Sequence, residues 1–306
     1  MATKKDLKKN IAKSREFEMQ TYVIATAEMY ATHREYAATL FDRTLELTSD
    51  FTDISEKAII EDSRILRILR YCVSPSISQM KFGQLFGLSS TEPFEKKKKF
   101  SKAAAAQLAE LAPKIAAFVN EHFDKDRCLW LIRRMPTAER ALAVQYARSW
   151  TCSLIADQNA QTAYRNWRKK GQENRIEEAL IALGFSKTDY SGDIKKLSDL
   201  SPKSYSMERR VKGRTVQKAD LVIRAESERL VLVEAKAIGV ELDAYKRVKE
   251  CCDKAQDWAT NKQLKAVVVA VIAGFLTDTN VETLEAAGVR VVWEHEIKRI
   301  GDVLAE

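Results

Sequence analysis

Histidine is the scarcest chemically versatile residue in this 306-residue chain: only His33, His122 and His295 occur, far apart and none near a cysteine pair. That argues against zinc sites of the His/Cys kind and against hydrolytic chemistries that need several imidazoles. Cysteine offers no framework either. Cys72, Cys128, Cys152, Cys251 and Cys252 are an odd, scattered set without C-x-x-C spacing, which reads as reduced core residues of a cytoplasmic protein. No apolar run approaches the roughly 20 residues that span a bilayer. The basic start MATKKDLKKN is not followed by the apolar segment of a secretory signal, so no membrane partner is expected. Glycine and proline are missing altogether from residues 5–48, which leaves nothing there to interrupt a helix.

What remains is a globular composition, 45% apolar and 31% charged, with a formal net charge of +8 and a pI near 9.1. The length suits a substantial core and two domains. The positive balance favours a polyanionic partner, and it is uneven: residues 1–150 carry +6 and the remainder +2. Helical spacing covers 5–48, breaks at Thr48-Ser49-Asp50 and resumes over Ile54–Tyr71. There Arg64, Arg67 and Arg70 form a basic stripe, either a solvated helix face or a phosphate-tracking surface. Met80–Phe94 loosely resembles a helix-turn-helix, with an ordinary short helix–Gly–helix joint as the favoured alternative, and the Lys96–Lys99 run reads as a solvated helix start. Further helices are expected over Ala103–Phe123 and from Pro136 to about Lys169. Residues 1–165 therefore read as an all-α domain.

The character changes after Lys170. Gly171–Phe185 reads as an amphipathic helix with Ile176, Leu180 and Leu183 inward and Gly184 as its C-cap, and Ser191–Arg210 reads as polar and irregular. Two apolar runs, Ala219–Ala225 and Leu230–Ala235, flank the polar Glu226-Ser227-Glu228 and predict a β-hairpin. A helix over Leu242–Trp258, with Tyr245, Val248, Cys252, Ala255 and Ala259 on one face, a strand at Ala266–Ile272, a short helix at Val281–Ala287, a strand at Val289–Trp293 and a last helix at His295–Leu304 follow. The order α-β-β-α-β-α-β-α predicts a mixed sheet flanked by helices, so residues 166–306 form the second domain of an α/β (α+β) chain.

With a three-residue loop, counting back along the hairpin sets Asp220 opposite Glu234, and Lys236, two residues on, points to the same face. Opposed carboxylates repel unless a cation lies between them. The arrangement therefore predicts a divalent-metal site of hard oxygen ligands, suited to Mg²⁺ with Mn²⁺ as substitute. Asp220 and Glu234 are its metal ligands, and the Ala235 carbonyl is a further candidate. Such a centre lowers the pKa of a bound water, while Lys236 orients or deprotonates that water and stabilises developing charge.

Asp220 in its Lys-Ala-Asp context, the triplet Glu234-Ala235-Lys236 ending a strand, and the following basic helix and buried strand together resemble the PD-(D/E)xK nuclease superfamily. The nearest likeness is to type II restriction endonucleases. Ala219 stands where the family's proline usually lies, a departure that superfamily tolerates. The resemblance covers roughly the last 140 residues, including the closing Val-Val-Trp-Glu-His unit, and leaves the N-terminal half outside it. It implies a restriction-endonuclease-like core at 166–306 that hydrolyses phosphodiesters in double-stranded DNA at a short, palindromic site. By the same resemblance a glutamate on the first core helix assists the metal, with Glu173 favoured by its spacing from Gly184 over Glu177 and Glu178, and a solvated helix carboxylate as the alternative reading. Arg214, Lys246, Arg247 and Lys249 are candidate contacts to the DNA backbone, with solvated surface charge as the alternative. The helical domain is expected to supply DNA recognition and dimer contacts. A homodimer and a cognate DNA methyltransferase as genetic partner are expected with them. Two alternatives stay open: a same-fold nuclease of DNA repair or methyl-directed restriction, and a non-catalytic DNA-binding protein.

Overall fold

The structure, a computed structural model, describes residues 4–96, 99–226 and 228–306. Residues 97–98 of the lysine run and Ser227 at the centre of the hairpin loop therefore lie outside the described residues. The chain forms two compact units. One combines the first stretch, up to Ala25, with Tyr164–Glu306, and the other is Thr26–Ala163. The boundary expected at 165/166 thus has a second crossing, within the first helix.

The Thr26–Ala163 unit is helical. It holds the second half of α1 (Lys4–Leu47), then α2 (Glu56–Glu61), α3 (Leu66–Leu69), α4 (Gln79–Leu85), α5 (Glu92–Lys96), α6 (Lys102–His122) and the first part of α7 (Thr137–Ala182). The break after α1 is the expected one, with Ser49, Asp50 and Phe51 all at positive φ. The expected helix over Ile54–Tyr71 is instead two short helices joined by a 3-10 turn. Its arginines are neither a solvated face nor a free basic stripe. Arg67 and Arg70 pair with the fully buried Glu95 at 3.5 and 3.1 Å, and Arg64 pairs with Asp62 at 2.5 Å. A buried carboxylate needs such partners because leaving it unpaired costs several kcal/mol. The tight joint after α4 turns at Gly87 (φ +76°), and Phe82 packs in the core there.

The other unit contains a six-stranded sheet in the order β1-β2-β3-β4-β5-β6. The strands are Ser186–Lys187, Ser204–Lys212, Val216–Arg224, Leu230–Ile238, Ala266–Gly274 and Val289–Trp293. β2, β3 and β4 are antiparallel neighbours, while β4, β5 and β6 are parallel. The parallel part is connected through α8 (Glu241–Ala259) and α9 (Asp278–Ala286), and α10 (Ile300–Ala305) closes the chain. β3 and β4 are buried on both faces, which is why they read as near-continuous apolar runs. Val222, Leu232 and Ala270 pack with Val248, Ala255 and Trp258 of α8. Leu221, Val233 and Val271 pack with Ile176 and Leu180 of α7 and Ile300 of α10. Each such aliphatic side chain contributes about 1.5–3 kcal/mol on burial.

Four expectations need correction. The helices expected on either side of Lys170 are one continuous α7, because Gly171 meets no neighbour that would demand a break. Leu183 is exposed rather than inward, lying beyond the last turn that faces the sheet. Tyr245 is exposed while Ala244 and Cys251 take the buried face of α8. Ser191–Arg210 is not wholly irregular, since β1's neighbour β2 begins at Ser204 and pairs with β3 along its length. Gly184 does end its helix as expected, at φ +81°.

Candidate active site

The hairpin register places Leu221 opposite Val233 and Arg224 opposite Leu230, so its continuation sets Asp220 across from Glu234. The β3–β4 ladder stops at Leu221↔Val233, however. Beyond that point β3 pairs only with β2 and β4 only with β5. The strands part, and backbone groups facing the gap need other partners. Asp220 Oδ2 accepts a hydrogen bond from the Ala235 N–H at 2.9 Å, and Lys254 Nζ donates to the Lys218 carbonyl at 2.6 Å. The opening that frees these groups also gathers the charged side chains.

Glu234 is fully buried, and two ammoniums hold it: Lys236 Nζ at 2.8 Å from Oε2, and Lys254 Nζ at 2.8 and 2.9 Å from Oε1 and Oε2. Burial works against the Lys236 ammonium, but the adjacent Glu234, with Asp220 behind it, outweighs that and holds its pKa above the ordinary lysine value. Lys236 is therefore an ammonium here, which favours charge stabilisation over proton abstraction. Lys254 comes from α8 and was absent from the sequence reading. It sits three residues after buried Cys251 and four before buried Trp258, over whose ring its ammonium lies at 5.8 Å. A lysine on an apolar helix seam was the available signal.

Lys169 and Glu173 reach the same opening from α7. Lys169 Nζ lies 3.4 Å from Glu173 Oε1, 3.6 Å from Glu208 Oε1 and 3.8 Å from Asp220 Oδ1. Glu208, on β2, also pairs with Lys218 at 3.0 Å and adopts φ +51°, a left-handed conformation that costs a non-glycine residue about 1–2 kcal/mol. Continuing the β2–β3 register, Glu208 lies across from Asp220, so Glu208, Asp220 and Glu234 form one row across three strands.

The structure thus brings together Asp220, Glu234, Lys236 and Glu173. Arg214 is exposed, with its guanidinium 4.0 Å from Asp257. Lys246, Arg247 and Lys249 are exposed on α8, and Arg247 pairs with Glu250 at 3.3 Å. Among the described residues, none of the four forms an ion pair with Glu173, Glu208, Asp220 or Glu234.

The carboxylate oxygens at this opening are hard donors, the kind that divalent cations such as Mg²⁺ take. Burial raises the Glu173 pKa, Lys169 offsets part of the rise and Asp220 adds to it. Its Oε1 is buried without a hydrogen-bond donor. Among the described residues no three His, Cys, Asp or Glu side chains are close enough to hold one ion together. Mg²⁺ is commonly bound by one or two carboxylates, with phosphate oxygens and waters completing its shell.

A sheet opening lined by carboxylates and ammoniums is suited to hydrolytic work on an anionic substrate, and the relatives identify the class as restriction endonuclease. The model of the XamI restriction endonuclease family matches residues 49–293, and the chain belongs to that family. It is 25% identical over 250 residues to the type II restriction enzyme XamI of Xanthomonas campestris pv. amaranthicola, spanning 79% of this chain and 85% of that enzyme. The crystal structure of protein VC1899 from Vibrio cholerae aligns at 11% identity with a TM-score of 0.27, over 92% of this chain and 55% of that one. No helix among the described residues is long and apolar enough to cross a membrane.

Proposed function

We propose that this restriction endonuclease is of the PD-(D/E)xK kind and cuts double-stranded DNA at a short, palindromic site in a Mg²⁺-dependent reaction, with Mn²⁺ able to substitute. The observation that carries the reading is the parting of β3 and β4 at Leu221↔Val233, beside which Asp220, Glu234 and Lys236 stand together. Asp220 and Glu234 would be the two carboxylates that hold the metal, and Glu173 on α7, not close enough to share the ion with both, would assist from outside that pair. A bound divalent cation supplies a water of lowered pKa and a counter-charge for the leaving oxygen. Lys236, kept as an ammonium by Glu234, orients the attacking water and offsets charge on the phosphate. Lys254 holds Glu234 by both oxygens, so the carboxylate keeps its place if Lys236 turns toward the substrate.

Arg214, Lys246, Arg247 and Lys249 are assigned to the DNA backbone, where exposed cations position a duplex without reading its sequence. The helical residues 1–165 are assigned to base recognition and dimer contacts. Two-fold symmetry of a homodimer would match that of a palindrome, and a cognate methyltransferase gene nearby would complete a restriction–modification pair.

Incubation with phage DNA and Mg²⁺ is expected to give discrete bands. A smear or a preference for branched DNA would favour another nuclease task, and tight binding without cleavage would remove the enzymatic reading. Asp220→Asn, Glu234→Ala and Lys236→Ala are each expected to lower the single-turnover rate by about a hundredfold or more. A Lys236→Ala variant cutting at full rate would overturn the assigned mechanism.

A further inference from the structure

The charges at the strand opening are already matched. Glu234 faces Lys236 and Lys254, while Glu173, Glu208 and Asp220 share Lys169, and Lys218 holds Glu208 from outside. Four carboxylates thus meet four ammoniums. A divalent cation entering such a site leaves it strongly positive unless an ammonium withdraws, and a withdrawal is easiest for the one held most loosely. Lys236 and Lys254 sit at 2.8 Å from a fully buried carboxylate, with side chains 14% and 22% exposed. Lys218 has Glu208 at 3.0 Å. Lys169 has no carboxylate oxygen nearer than 3.4 Å in its three ion pairs, and its side chain is 50% exposed, with solvent open to it.

We propose that the Lys169 ammonium is a resident stand-in for the metal, neutralising Asp220 and Glu173 in the metal-free protein and giving up that place when the ion binds. Lys169 then sets the metal requirement of the enzyme by competing for the same oxygens. Three features support this: it faces the ligand Asp220 and the assisting Glu173 at once, its long stem can swing into water, and the buried Glu173 Oε1 it faces at 3.4 Å makes no closer hydrogen bond. The proposal rests on the metal reading given above.

The test is binding of Mn²⁺ alone to the full chain without DNA, read from the free-ion electron paramagnetic resonance signal. Lys169→Met, which keeps the stem and removes the charge, is expected to bind about fivefold more tightly than the parent. Lys169→Arg is expected to bind as the parent does, and Asp220→Asn to lose the site. Should Lys169→Met fail to fold, as judged by its thermal transition in EDTA, Lys169→Gln takes its place. Unchanged or weaker binding by the uncharged variant, with Asp220→Asn still inactive in binding, overturns the role given to Lys169 alone. Equal tightening in Lys169→Arg also overturns it, since charge would then not be the cause. If Asp220→Asn binds Mn²⁺ like the parent, the metal reading beneath the proposal fails.

Discussion

Burial raises the Glu173 carboxyl above the ordinary glutamate range, Lys169 offsets only part of this, and Asp220 adds to it. A carboxyl whose folded pKa exceeds its unfolded one favours folding while both states are protonated, and that contribution is lost as pH rises through the folded pKa. Glu173→Gln is therefore expected to raise the unfolding temperature at pH 7 in EDTA. The advantage should shrink as pH falls through the raised pKa of the folded carboxyl and be gone below the ordinary glutamate value, where both folded and unfolded parent are protonated. Thermal melts across that range check the sign. The same comparison separates the two readings of this residue, since a merely solvated carboxylate would give no gain. At this scale the sequence disclosed Asp220, Glu234 and Lys236 through their strand parity. It hid Lys254 and Lys169 because their approach depends on how α8 and α7 lie over the strands, which no local spacing encodes.

Among the elements, the hairpin was the most legible, since buried strands announce themselves by apolar runs and the polar loop fixed the register. β2 was hidden by its own chemistry: Glu208, Arg209, Arg210 and Lys212 make it look like a loop, although Tyr205 and Val211 are buried. Gly171 suggested a break in α7 that neighbouring turns override, as a lone glycine costs a helix only about 1 kcal/mol. Gly274 is different. It ends β5 at φ +93°, a Cβ there would lie 2.0 Å from the Ile238 carbonyl oxygen, and its N–H donates to Ser14 Oγ at 2.8 Å. Gly274→Ala is expected to lower stability by about 2–3 kcal/mol or more, combining left-handed strain with backbone displacement. Urea denaturation gives the value, and a loss below about 0.5 kcal/mol would contradict the close approach.

For the whole chain, the division into a helical and a sheet-bearing part was readable from composition, but the part played by residues before Ala25 was not. Their contribution is long-range. Glu18 accepts from Tyr164 and Arg168, whose guanidinium also holds Glu294 at 2.7 Å. Arg15 donates to the Leu276 carbonyl at 2.9 Å, and Ile11 joins the core beneath α8. All of Arg168, Glu18 and Glu294 are buried, and removing one partner of a buried ion pair costs about 3–5 kcal/mol. A fragment of residues 164–306 alone is accordingly expected to be poorly folded, and one carrying residues 4–25 through a flexible linker to be recovered. Amide exchange of β5 and β6 distinguishes these outcomes. Equal protection in both fragments would show that the first helix is dispensable to the sheet.

The hydrogen bond from the Ala235 N–H to Asp220 gives position 220 a narrow mutational alphabet. Asparagine keeps an acceptor of the right reach but loses the charge, whereas glutamate keeps the charge and carries it one methylene past the amide. Alanine loses both. One side chain thus closes the strand ladder and supplies one of the site's four carboxylate charges, so no single-residue exchange preserves the two duties together.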